Sequence, residues 1–187
     1  MPPKAKLTKD EIVAATLELL RHEGENAMNA RRIAAHLGCS TQPVFSNFSS
    51  MEELQHAVLL ASYQYYHNFL LQEVQSGKHP PYKAYGMAYI RFAKEEKELF
   101  RALFMCDRKG QALTPSADFS ESVDMIMSAN RLTREQAELL HIEMWSCVHG
   151  IGTMLATSFL EFDDDLISRM ISDIYQGLIV RHKGGNT

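Results

Sequence analysis

Residues 37–50 read LGCSTQPVFSNFSS, in which the uncharged polar side chains Ser40, Thr41, Gln42, Ser46 and Asn47 interleave with Val44, Phe45 and Phe48. Such side chains are suited to recognising hydrogen-bonding edges. Glutamine can pair bidentately with adenine, and threonine offers a hydroxyl to a base or a methyl to thymine. Ser40 is a good helix N-cap, and Pro43 then falls in a first turn, where its missing N–H would have had no intrahelical partner. Val44, Phe45 and Phe48 are expected on one buried face, leaving Thr41, Gln42, Ser46 and Asn47 outward.

A second set of reactive types, His141, Glu143 and His149, invites a catalytic or metal reading. His141 and Glu143 are two residues apart and point to different faces of a helix, and no third ligand follows at metal spacing. Neither a phosphate loop, a nucleophile elbow nor a dinucleotide fingerprint is present. No enzyme activity, metal or cofactor is therefore expected. The three cysteines, Cys39, Cys106 and Cys147, are widely spaced and are read as reduced thiols.

The elements that must position these residues are helical. At 187 residues, 45% of them hydrophobic, the chain can bury one sizeable core or two small ones. Thr8 to Glu11 forms a T-x-x-E capping box that opens a first helix, which Gly24 closes. A second helix capped at Asn29 buries Ile33, Ala34 and Leu37, exposes Arg31 and Arg32, and stops at Gly38. Helix, tight glycine turn and short helix with a polar edge is the helix-turn-helix pattern, whose second helix enters the major groove. Ser50 caps a long fourth helix running to about Gly77, with Glu53 completing an S-x-x-E box. Its first amides can receive a phosphate. A fifth helix begins at the prolines 80–81, a sixth spans 95–105, CDRKGQALTPS (106–116) is a loop, and a seventh covers about 118–129. The eighth opens at the Thr133 to Gln136 capping box and buries Leu140, Met144, Val148, Ile151 and Leu155. The ninth, capped by Asp163, supplies Ile167, Met170, Ile171, Ile174 and Leu178 as its seam.

The fold class is thus all-α with about nine helices, divided into an N-terminal three-helix helix-turn-helix domain (1–50) and a C-terminal helical domain (51–187). No apolar run reaches membrane-span length, and no stretch of signal-peptide length follows MPPKAK, so a cytoplasmic protein without a membrane partner is expected. Residues 1–60 carry six Lys and Arg against seven Asp and Glu. A shallow salt dependence of any DNA binding is expected from so few cations.

Residues 8–59 resemble the DNA-binding domain of the tetracycline-repressor (TetR) family of transcription regulators. The resemblance rests on IVAATLELLRHEG, NARRIAAHLGCS and TQPVFSNFSSMEELQHAV. It continues as architecture beyond residue 60, and Trp145 to Gly150 resembles a Trp-x-x-x-His-Gly signature of one group of such C-terminal domains. Three positions depart from the family pattern. Phe45 stands for a tyrosine and Asn47 for a His or Tyr, both of which usually reach phosphate, and Met51 stands for a lysine. The resemblance implies a homodimer through the last two helices, a palindromic double-stranded DNA operator, and repression relieved by a small-molecule effector. Lys6, Arg31, Arg32, Ser40, Thr41, Gln42, Pro43, Ser46, Asn47 and Ser50 are the expected DNA contacts. Tyr66, Phe69, Tyr85, Tyr89, Phe92, Phe100, Phe104, Trp145 and His149 are the candidates for an apolar or aromatic effector cavity, with core packing as the alternative for each. A TetR-like protein that has lost DNA reading is the rival to the regulator.

Overall fold

The structure, a computed structural model, describes residues 7–106 and 117–184. Among these residues there are nine α-helices and no strand: α1 (Lys9–Glu23), α2 (Ala30–His36), α3 (Gln42–Asn47), α4 (Met51–Gln75), α5 (Pro81–Glu95), α6 (Lys97–Phe104), α7 (Ala117–Asn130), α8 (Arg134–Ala156) and α9 (Asp164–Gly184). The predicted loop beyond Cys106 lies outside the described residues.

The local signals act where the sequence puts them. Thr8 and Glu11 exchange reciprocal hydrogen bonds at the start of α1, and Thr133 and Gln136 do the same at α8. The Asn29 side chain accepts from the Arg32 amide, and Asp163 accepts from the Leu166 amide at 2.6 Å. Between α2 and α3 the chain turns at Gly38 with φ 62°, a left-handed conformation in which a glycine carries no Cβ penalty. Cys39 donates to the Ala34 carbonyl and Gly38 to that of Ala35, the paired bonds of a Schellman cap.

The chain divides into two compact units. One comprises the described residues up to Asn68 together with Glu96–Cys106; the other comprises Phe69–Glu95 and the described residues from Ala117 onward. The boundary expected at residue 50 is not where the units part, because α4 carries residues of both and α6 belongs with α1.

In the first unit Ile12, Leu19, Leu20, Ile33, Val44, Leu54, Leu99, Phe100 and Leu103 are buried. The bond between α1 and α6 is ionic as well as apolar. Arg21 donates through Nε (3.0 Å) and Nη2 (2.5 Å) to Glu96 and lies over the Tyr65 ring at 4.5 Å, while the Tyr65 hydroxyl donates to Glu96 at 2.8 Å. Burial alone would raise the Glu96 carboxyl; the Arg21 and Tyr65 hydrogen bonds outweigh it and hold the group below its ordinary value.

In the second unit α8 is the centre, packed on α5, α7 and α9. Leu140, Met144, Val148, Ile151 and Leu155 are all buried, as their spacing requires. Of the α9 seam, Ile167 and Ile171 are buried, while Met170, Ile174 and Leu178 are half-buried. No described helix is long and apolar enough to cross a membrane.

Candidate functional site

The helix-turn-helix is built on α2 and α3. Val44 and Phe48 are anchored at 1% and 3% exposure, and Gln42 and Ser46 face solvent. Three local expectations are corrected. Thr41 rather than Ser40 takes the N-cap place of α3, with αR backbone and no side-chain cap bond. Phe45 is 54% exposed instead of packing with Val44 and Phe48. A helix of six residues has room for one inward row, and at about 100° per residue Phe45 falls outside it. Asn47, expected to point outward, donates its amide to the carbonyls of Leu7 (3.2 Å) and Pro43 (2.8 Å), tying α3 to the residue that precedes the α1 cap.

Around this helix Thr41 and Pro43 are half-buried, and Ser40 is exposed. The Ser46 hydroxyl donates to the Gln42 carbonyl at 2.8 Å, leaving its lone pairs available to a donor. Arg31 and Arg32 are both exposed at the start of α2, but Arg32 is ion-paired with Glu23. Ser50 accepts from the Glu53 amide at 3.2 Å. The box does not close on Ser50, because the Glu53 carboxylate receives the amide and hydroxyl of Ser49 (both 2.7 Å) and the ammonium of Lys9 (2.7 Å). The Lys9 and Ser49 bonds pull the Glu53 carboxyl down to about 2. Lys6 lies outside the described residues.

The aromatic candidates separate. Tyr66, Phe100 and Phe104 belong to the first unit, where Phe104 meets Tyr66 edge-on at 5.1 Å and Phe100 at 5.2 Å. Phe69, Tyr85, Tyr89, Phe92, Trp145 and His149 belong to the second. Phe92 and Phe100 are completely buried. In the second unit α5 and α8 share two tyrosine–histidine pairs. The Tyr82 hydroxyl is 3.1 Å from His141 Nδ1, and that of Tyr89 is 2.8 Å from His149 Nδ1. Trp145, 48% exposed, stacks on the His149 ring at 5.0 Å. Tyr85 reaches Glu121 at 3.4 Å. The Tyr82–His141 pair carried no signal beyond helical spacing, because the residues are 59 apart.

The trio His141, Glu143 and His149 is dispersed: Glu143 is held by Arg181 (2.8 Å) and His182 (2.9 Å) instead. Among the described residues no group of three or more His, Cys, Asp or Glu is placed to hold a metal ion.

Burial lowers the pKa of both His141 and His149 from the ordinary value of 6.5. Between that lowered value and 6.5 the unfolded chain binds more protons, so the contribution of these rings is present above 6.5 and lost as pH falls through that window. The melting temperature is therefore expected to fall when the pH is lowered from 7.5 to 5.5. Replacing both rings (His141→Gln with His149→Gln) should flatten the profile, and an unchanged slope in thermal unfolding would assign it to other groups.

Residues 12–58 match the family described as bacterial regulatory proteins, tetR family, and residues 82–174 match the tetracyclin repressor-like, C-terminal domain. An uncharacterised HTH-type transcriptional regulator, Rv0681 of Mycobacterium tuberculosis, is 25% identical over 192 residues, covering 98% of this chain and 87% of that protein. The crystal structure of the Streptomyces coelicolor TetR family protein ActR, in complex with (S)-DNPA, aligns over 95% of this chain and 99% of that one, at 19% identity and a TM-score of 0.45. With both its N-terminal and its C-terminal regions matched, the chain belongs to the TetR family of transcriptional regulators.

Proposed function

We propose that this regulator binds a palindromic double-stranded DNA operator as a homodimer, as a repressor released by a small, largely apolar or aromatic effector. The observation that carries DNA reading is α3: its core side is locked by Val44 and Phe48, and Gln42 and Ser46 stand exposed on the other side. Gln42 is assigned to a base edge, with Thr41 and Ser46 beside it. Arg31, Ser40, Pro43, Ser50 and Lys6 approach the backbone, with Arg32 joining them when its pairing with Glu23 opens. Asn47 acts as a positioning residue through its bonds to Leu7 and Pro43.

The homodimer is assigned to α8 and α9. On the single chain, Leu139 (46%), Ile142 (50%), Trp145 (48%) and Val180 (71%) are exposed apolar residues of these two helices. Residues 139, 142 and 145 share one side of α8. An isologous pairing through this face would bring two reading helices to a palindrome with half-sites about one helical turn apart. The effector is assigned to the second unit beside Phe69, Tyr85, Tyr89 and His149, whose rings, hydroxyls and imidazole suit an apolar or aromatic ligand that carries a polar group. It regulates only if it binds one conformation more tightly than the other.

Selection from a random duplex pool tests the reading. Wild type should enrich a palindrome, and Gln42→Ala should lose about 1–3 kcal/mol of discrimination at one base pair of each half-site. The rival, a ligand-binding relative that no longer reads DNA, is favoured by the hydroxyl-free Phe45 and the paired Arg32; it would give a folded dimer that enriches nothing with or without candidate effectors.

A further inference from the structure

Phe45 is the largest side chain on α3 and is 54% exposed on the unit that bears the reading helix. It follows Gln42 by three positions, which at about 100° per residue places the two only about 60° apart around the helix axis. The ring therefore stands beside the group assigned to a base edge, on a helix otherwise polar outward. It has no donor for a phosphate. Of the four base pairs, only those containing thymine present an apolar group, the 5-methyl, in the major groove; elsewhere the ring would cover donors or acceptors and leave them unpaired.

We propose that Phe45 is a specificity-determining residue that reads the 5-methyl group of a thymine in each half-site, next to the base pair contacted by Gln42. The proposal rests on the DNA-reading function above and adds a base to it. The selected sequence should then contain an obligatory thymine that no hydrogen bond accounts for. Removing one methyl exposes about one CH2 equivalent of apolar contact, so changing that thymine to deoxyuridine should weaken binding about fourfold, and about fifteenfold when both half-sites are changed.

The test uses the full chain and the palindrome it selects, with each thymine replaced in turn by deoxyuridine. Expected is a loss at one symmetry-related position for wild type and Phe45→Tyr, which keeps the ring, and none there for Phe45→Ala. Because the ring is over half exposed, Phe45→Ala should fold normally, which its melting temperature checks. A methyl response equal at all thymines, or retained in Phe45→Ala, overturns the proposal while leaving the operator reading intact. A folded wild-type protein that selects no sequence overturns the operator reading and the proposal with it.

Discussion

Phe100→Ala is expected to cost the first unit about 3–5 kcal/mol, a large part of the roughly 5–15 kcal/mol that holds a domain of this size together. The ring is completely buried and lies 5.2 Å from Phe104. Its neighbours on the inward side of α6, Leu99 and Leu103, are also fully buried, so little can collapse into the space the ring leaves. The shift should appear as a lower urea midpoint followed by helical circular dichroism, and it should appear without any effector. A variant that kept its stability and lost only its response to effector would return Phe100 to the lining of a ligand cavity. Phe92→Ala, in the second unit, should behave in the same way, since that ring is buried to the same degree and meets Phe69 edge-on at 5.3 Å.

Ile142→Asp is expected to leave the fold of the single chain intact and to abolish the dimer. Ile142 is half exposed on the isolated chain, so a carboxylate there stays hydrated until the partner covers it. In the pairing proposed for α8 and α9 that charge would be buried without a counter-ion, at a cost of several kcal/mol on each side of the twofold axis. Sedimentation should show a monomer with unchanged helicity. Operator affinity should fall by about a thousandfold or more, because one reading helix retains little beyond nonspecific attraction. A variant that remains dimeric would place the twofold contact elsewhere on the chain.

Much of the fold could be read from single residues, because the signals that end helices are local. Thr8, Asn29, Thr133 and Asp163 each cap a helix within a residue of the place their types indicate, and the α8 stripe from Leu140 to Leu155 is buried throughout. What the residues could not announce depends on distance along the chain. Arg21 and Glu96 are 75 positions apart, and neither reveals that α6 closes on α1. Phe45 misled for a related reason. Apolar character indicates an inward residue on average, but α3 is six residues long and lets only Val44 and the chain end at Phe48 reach the core. At the reading helix the residue types were legible and their partners were not. Asn47, whose type suggests an outward DNA contact, instead spends its amide on the Leu7 and Pro43 carbonyls.

The membership of α6 in the first unit bears on how such a regulator can be rebuilt. Followed from its N-terminal side, the chain leaves that unit after Asn68, comes back at Glu96, and leaves again after Cys106. A reading head therefore cannot be transplanted by a single cut and splice. A fragment ending at Asn68 would leave Arg21 only Glu18 as a partner in place of Glu96 and would uncover the side of α1 that α6 closes, and a chimera joined there would inherit the recipient's α6 against a foreign α1. Exchange of operator specificity between relatives requires either a two-junction graft that moves Glu96–Cys106 with the head or a change confined to the exposed side chains Gln42, Phe45 and Ser46 of α3.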